Sequence, residues 1–593
     1  MIELKFGHDD KGIFRLSGLI RFVYNPSPRR TFPLQFQYHI MRKRSLSTQA
    51  LSIQDWMKYR PYERFSNYDG YYLKQANAIF NLLNHPTEGF RKYFKREHLL
   101  ELAILITCHF EDFINDIGLW KALVRKHRKL YGYAIPFYKP EGYDPEYLNP
   151  HDFAYLIWHH LGKMAQKTLG PFSPGLRHIA YQCYQHFEAR IDEAPVTDFY
   201  EKWLKIGPDT PFFDLKRRLK WMAFENYLIG PEFGRGMIAE LNEMAEKHSK
   251  MFQEIDPGKM AYSMEDEYLY QKSASWCAMT APDWLADVAR CPEEVRPKIR
   301  RLFQRVTGTF LYDGCDDHYY HFRFIRSNRL FHIRRESVNL ETDDMRTGVE
   351  AGVFGIVNWC GEWWLSGTYM GWELSAKDIE KIRLDPKAVN FYGWTDAEQQ
   401  LIRDRTAEME SAFIEYFGDR LVVFPNQKAM AAAMEAQQAF WNEKKVQKSA
   451  PATAKSKLAK QIARQYTGFK DLNFGDRNSV AAYFIPGEGV FMSPVVPELI
   501  RRLQADKLST EESDELFYTL FKECTPPLAR LLVERYTGKN LIFPQMDNPD
   551  FVAQHFEFFL HYYNPGDFRE VVPNLSLVGE REASHTEEVG TKK

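Results

Sequence analysis

Residues with the types to do chemistry fall into separate groups along this chain. The first is His109, Asp112, Asp116, His160 and His186, spread over three successive segments of helical pattern. Let Phe113 mark the centre of the first segment's apolar stripe, with a turn of about 100° per residue; His109 then lies about 40° away, Asp116 about 60° and Asp112 about 100°. His160 shares the stripe of Phe153, Ile157 and Met164, and His186 that of Ile179, Cys183 and Phe187. If the three helices pack together, these side chains could converge as a metal or acid–base site, the machinery of a metal-dependent hydrolase. The competing reading is structural: buried polar groups need partners whether or not they react. The Glu-x-x-His pairing of di-iron bundles is absent, so the sequence favours the structural role.

A second group is Cys315-x2-His318-x2-His321 with Asp313, Asp316, Asp317 and His332. The types suit zinc, but the spacing matches no standard structural site. A solvated acidic loop entering a strand explains it, and no metal or cofactor is assigned. The third group is basic: Arg323, Arg326, Arg329, His332 and Arg334, with Tyr319, Tyr320 and His321 beside them. Arginines and aromatics on a small β platform could hold phosphate and stack a base. Asp316, Asp317, Glu336, Glu341, Asp343 and Asp344 could neutralise the same stretch, so a solvated, salt-bridged face is the leading reading here, with nucleic acid, an acidic protein or another domain of the same chain as lesser ones. For the chain as a whole an unknown protein partner is expected ahead of nucleic acid. The run Gly361-Glu362-Trp363-Trp364-Leu365-Ser366-Gly367 could line an aromatic groove. Strand alternation sends its two tryptophans to opposite faces, which puts at least one in a core. There is no phosphate-binding glycine loop, G-x-S-x-G elbow or H-E-x-x-H.

The elements that would position these groups are mostly helical. Leu102, Ile106, Phe113, Ile117, Trp120 and Val124 recur at helical spacing between Glu97 and Tyr131, closed by Gly132. As one helix this stretch would be about 50 Å long. The next helix takes Asn149 as N-cap, Pro150 at its first position and Asp152 in its first turn, and ends near Gly170. A third runs from Ser173-Pro174 to about Glu193, with further helices over roughly 212–229 and 234–254. Near residue 308 the period changes to two. A turn at Ser327-Asn328 would set Phe322 opposite Ile333 and Phe324 opposite Phe331 on one face, with His321 opposite Arg334 and Arg323 opposite His332 on the other. A turn at Cys360-Gly361 pairs Val357 with Trp364 and Ile356 with Leu365. The two hairpins predict a curled sheet or barrel over about 305–372. Helix returns with the capping box Thr395…Glu398 and its closing Gly418, and again over 426–446.

The fold class is therefore mainly α with a small central antiparallel β module, an α+β chain of several domains. The expected units are a basic extension at 1–48, a helical domain at 49–300, the β module at 301–375, flanking helices at 376–446, a basic linker at 447–472, an α-rich C-terminal domain at 473–578 and a polar tail at 579–593. Residues 1–40 lack periodicity, and Met41 reads as an alternative start; an edge hairpin or a basic arm are the other readings. With 44% apolar and 15% aromatic residues the chain can build several cores. Lys+Arg total 78 against 79 Asp+Glu, a net charge of −1, so no global field steers it to nucleic acid or to an anionic membrane. The seven cysteines are scattered and never spaced as C-x-x-C, which points to a reducing compartment, the cytoplasm. No apolar run approaches the roughly 18 residues of a membrane span.

Particular motifs carry a resemblance: Asp55-Trp56-Met57-Lys58-Tyr59-Arg60-Pro61-Tyr62, Asp69-Gly70-Tyr71-Tyr72-Leu73, Cys108-His109-Phe110-Glu111-Asp112-Phe113 on to Trp120, the Gly361–Gly367 run, and Tyr562-Tyr563-Asn564-Pro565 to Pro573-Asn574-Leu575. In these the chain resembles a family of uncharacterised proteins known mainly from Bacteroidota, a domain of unknown function, over about 50–578. The resemblance implies no activity and transfers no functional residue. The leading expectation is a cytoplasmic, non-enzymatic binding or scaffolding protein; the alternatives are the hydrolase and the nucleic-acid factor described above.

Overall fold

The computed structural model describes residues 21–23, 51–85, 90–165, 169–247, 257–341, 345–384, 390–449, 479–536, 540–544, 546 and 548–573. Residues 450–472 of the proposed linker, the tail and all of 1–50 except 21–23 lie outside the described residues, and the first three residues of that linker are the end of the helix Gln427–Ser449. The N-terminal half is helical: α1 (Ile53–Met57), α2 (Asn67–Leu83), α3 (Phe90–Tyr93), α4 (Arg96–Asn115), α5 (Leu119–Tyr131), α6 (Pro150–Ala165), α7 (Pro174–Glu188), α8 (Phe199–Trp203), α9 (Phe212–Lys220), α10 (Gly230–Lys247), α11 (Pro257–Tyr270) and α12 (Ala281–Val288). Their caps follow from local chemistry: Ser52 with Asp55, Ser66 with Asp69 and Thr280 with Asp283 form capping boxes, and the Asn149 side chain accepts from the backbone N–H of His151. The same device starts the helix Asp396–Phe417, where Thr395 and Glu398 pair and Gly418 closes the end in the left-handed conformation.

One expected helix is two. The stretch from Glu97 to Tyr131 breaks at Asp116, which sits at φ 46°, and Gly118, at φ 95°. The apolar stripe continues across the break because Ile117 and Trp120 remain buried, so periodicity alone hides it. A glycine at φ 95° supplies what a β-carbon would resist.

Six strands follow: β1 (Arg21–Val23), β2 (Val306–Cys315), β3 (Tyr319–Phe324), β4 (Leu330–Arg334), β5 (Glu350–Trp359) and β6 (Glu362–Glu373). β2 pairs with both β3 and β5, β3 with β4, β4 in parallel with β6, and β6 with β5, so five strands close a circuit; β1 joins at β6. The curled module expected from the sequence is thus a small barrel. Its core holds Phe310, Tyr312, Phe322, Phe324, Phe331, Ile333, Phe354 and Leu365. The Cys360-Gly361 turn and the Val357–Trp364 and Ile356–Leu365 pairs are as expected. The β3–β4 register is not: Phe322 faces Phe331, Tyr320 faces Ile333 and His321 faces His332. The connection is the four residues 325–328 rather than two, because the Phe324 N–H still donates to the Arg329 carbonyl and Ile325 and Arg326 are buried beneath it. A shift of two residues preserves the face of every side chain, so the inward set stayed correct.

The barrel is fastened to the helices by charge and by tryptophan. Asp266 on α11 meets Lys216 of α9 at 2.8 Å and Arg305 at 3.5 Å, and it accepts a hydrogen bond from Ser366 of β6. A β-carbon at Gly355 would lie 2.2 Å from the Arg305 guanidinium, so only glycine admits that cation. Trp363 packs edge-on to Phe331 in the barrel, while Trp364 stacks on Phe212 of α9 at 5.0 Å. A second sheet, Leu421–Phe424 with Val480–Ile485 and Gly489–Ser493, and the C-terminal helices complete the chain. Phe137 stacks on Phe551, and the apolar core runs without a break from the N-terminal helices into Phe517, Phe558 and Phe559.

Candidate functional site

The sequence motifs first lead into a buried ionic network. Arg60, just after α1, lies 2.8 Å from Glu111 of α4 and 3.8 Å from Asp69 of α2, all three almost wholly buried. Its guanidinium lies over the Trp56 ring at 3.8 Å. Asp69 also accepts from Trp56 Nε1 and Tyr62 Oη, at 3.2 and 2.8 Å, and Glu111 from Tyr68 at 2.7 Å. Each buried charge therefore has an opposite charge and neutral donors, as desolvation demands.

One residue beyond Glu111, Asp112 performs a different task. The break at Gly118 leaves the first N–H groups of α5 without a cap, and glycine has no side chain to supply one. Asp112 folds forward and accepts from the N–H groups of Gly118, Leu119 and Trp120 at 2.7, 3.2 and 2.8 Å. It also accepts the Tyr227 hydroxyl at 2.7 Å. Burial pushes its carboxyl up and these four donors pull it back.

Tyr227 then fixes His109. Because its proton goes to Asp112, its oxygen is an acceptor for His109 Nδ1, 3.4 Å away. This network assigns the imidazole the Nδ1–H tautomer, with the lone pair on Nε2. Nε2 is buried, has no hydrogen-bond partner among the described residues, and lies 3.9 Å from Asp152 Oδ2 on α6. The other oxygen of Asp152 accepts from Tyr143 at 2.7 Å, and Tyr143 in turn accepts from Trp120 Nε1 at 3.1 Å. Burial pushes His109 down to about 3 and Asp152 up to about 8, so both are neutral at pH 7. Between them lies a recess with room for about one water, lined by His109, Asp112, Trp120, Lys121 and Asp152.

The other predicted members go elsewhere. Asp116 is exposed and pairs with Lys121 at 2.8 Å. His160 is buried beside His159 and Trp276 and is pushed down to about 3 by burial. His186, half-buried, faces Gln75 Oε1 at 3.0 Å. The five residues do not converge: only His109 and Asp112 share a site. Asp152, Tyr143 and Tyr227 complete that site. The sequence marked Asp152 only as a first-turn acid and held no signal for the two tyrosines.

On the barrel, Arg323, His332 and Arg334 share the outer face, and each meets a neighbour. Arg323 pairs with Asp313 at 2.5 Å and Arg334 with Glu336 at 2.7 Å. His332 and His321 face each other Nδ1 to Nδ1 at 2.8 Å, and His321 Nε2 lies 3.3 Å from Asp316. Arg334 covers the rings of Tyr319 and Trp364. Arg329 turns inward to donate to the Trp394 carbonyl at 2.8 Å, and Arg326 is buried. Cys315 is exposed, and among the described residues no group of three or more His, Cys, Asp or Glu side chains is placed to hold a metal ion.

Residues 51–316 match the family model described as a protein of unknown function (DUF3843). The unknown-function family inferred from the motifs is therefore shown for that stretch, which spans the helical half and enters the barrel at β2. No curated protein and no solved structure matches the chain. Among the described residues no helix is long and apolar enough to cross a membrane.

Proposed function

We propose that this chain is a cytoplasmic binding protein that meets a protein partner with the outer face of its barrel, around His321, Arg323, His332 and Arg334. The observation that supports this reading is the pairing of cation and acid on that face: Arg323 with Asp313, Arg334 with Glu336, His321 with Asp316. A surface so balanced lacks the excess positive charge that nucleic acid binding draws on. It offers fixed donors, acceptors and aromatic edges on rigid strands, which suit a polar protein surface of mixed charge. The seven free cysteines support a reducing compartment. The helical half acts in this reading as the scaffold that holds the barrel through Asp266 and Trp364.

The test compares wild type with the double variant His332→Glu/Arg334→Glu in the native host, by proximity capture followed by gel filtration of the recovered complex. The expected result is a protein that co-elutes with wild type and is lost from the variant, with the fold retained and the melting temperature lowered only slightly. Mobility-shift assays with duplex DNA and single-stranded RNA should show no complex at physiological salt. A partner retained by the variant, or a salt-sensitive nucleic acid complex abolished by it, would overturn the reading.

A further inference from the structure

We propose that the recess between His109 and Asp152, distinct from the barrel face, seats one hydroxyl group, of water or of a small alcohol, that donates to His109 Nε2 and accepts from the Asp152 carboxyl. Nε2 and Oδ2 are 3.9 Å apart, too far for a direct hydrogen bond, yet one oxygen can reach both. The space suits one oxygen.

The chemical class follows from the directions of the hydrogen bonds. His109 Nε2 offers only a lone pair, because Tyr227 claims the proton on Nδ1. Asp152 receives Tyr143 on Oδ1, and its remaining oxygen carries the proton that burial retains at neutral pH. The occupant must therefore donate on one side and accept on the other. A carbonyl cannot donate, an ammonium cannot accept, and a carboxylate would be desolvated beside Asp112 and the Asp152 carboxyl. A hydroxyl does both. The other charged group on the recess wall is Lys121, already paired with Asp116 and Glu146 at 2.8 and 2.6 Å.

Asp112 and Tyr227 act as positioning residues, since neither needs to touch the hydroxyl to hold the His109 lone pair towards it.

Two measurements on the full chain test this. A high-resolution crystal structure, with and without methanol, should show a single oxygen within about 2.6–3.2 Å of both Nε2 and Oδ2. If methanol replaces it, an alcohol is the occupant; if the oxygen is unchanged, water is. Nitrogen-15 spectra of histidine-labelled protein should place the His109 proton on Nδ1 at pH 7. Tyr227→Phe should remove that preference while the protein stays folded; a role in packing alone would leave the tautomer unchanged. A direct His109–Asp152 contact with no oxygen between them, or a wild-type ring protonated on Nε2, overturns the proposal.

Discussion

The helical half and the barrel handle ionisable residues in opposite ways. In the helices Arg60, Asp69, Glu111, Asp112, His109 and Asp152 are buried, and some of their partners come from distant segments, Tyr200 for Arg60 and Tyr227 for Asp112. In the barrel, Arg323, His332 and Arg334 stay on the outer face and find partners on an adjacent strand or just past the end of their own. The cause is geometric. A helix such as α6, surrounded by others, is buried on nearly every side from Asp152 to Leu161, so a polar residue there has no solvent face to use. A strand turns alternate residues outward, as the alternating burial along β3 from Tyr319 to Phe324 records. The same residue types thus hold the fold together in one region and remain available at the surface of the other.

The largest expected effect probes that contrast directly. Arg60→Ala leaves Glu111 and Asp69 buried without their cation and should destabilise by about 3–5 kcal/mol, measured by urea unfolding. Replacing Arg60 and Glu111 together by apolar residues of similar volume should restore only part of the loss, because Glu111 is then no longer stranded while Asp69 keeps only its neutral donors Trp56, Tyr62 and Ser66. In the barrel the corresponding sensitivity lies in the apolar face. Phe324→Ala removes a buried ring wedged between Gly308 and Gly393 and should lose about 3–5 kcal/mol, while Arg323→Ala on the outer face should lose no more than about 1 kcal/mol. Equal losses at Phe324 and Arg323 would break the comparison.

Asp152 gives a smaller effect with a defined sign. Its carboxyl is raised to about 8 in the fold against an ordinary value of 3.8. Between those values the folded state holds a proton that the unfolded state has released, so this group's contribution to stability falls as pH rises. It is fully present below about pH 4 and lost as pH climbs through 8. Asp152→Asn keeps an acceptor for Tyr143 and removes the titration. Its stability relative to wild type should therefore rise by about 1 kcal/mol per pH unit between pH 5 and 7. His109 titrates in both proteins and drops out of the difference. A flat difference would show that Asp152 is ionised in the fold.

What could be read from the sequence divides along the same line. The barrel was legible because alternation and turn chemistry are local: Cys360-Gly361 fixed its hairpin register, and even the two-residue shift at 325–329 left Phe322 and Phe331 inside. Capping boxes at Thr395 and the N-cap at Asn149 were legible for the same reason. The helix break at Gly118 was not, since it depends on Asp112 reaching forward to three N–H groups. The His109 site was half legible. His109 and Asp112 lie on one helix, but Asp152 and Tyr227 reach them only through tertiary packing. The Trp56, Arg60, Asp69 and Glu111 motifs, which carried the family resemblance, form the ionic network that packs α1, α2 and α4.

A small, salt-sensitive effect falls on the barrel face. Arg334 meets Glu336 at 2.7 Å with its side chain 26% exposed and that of Glu336 65% exposed, and it lies over Tyr319 and Trp364. An ion pair so open to water is worth about 0–1 kcal/mol, and the ring contacts add about 0.5–1 kcal/mol. Arg334→Ala should therefore lower stability by no more than about 1–2 kcal/mol. The ionic part of that loss should shrink at high salt, because the pair is solvated and its field is screened within about 3 Å at 1 M salt. Arg60→Ala should keep its full effect under the same salt, since its partners are buried. The comparison is then read from two salt titrations of urea midpoints: a salt-dependent loss at Arg334 and a salt-independent one at Arg60. If Arg334→Ala proved as damaging as Arg60→Ala and as indifferent to salt, the outer face would be part of the folding core and could not serve as a free docking surface.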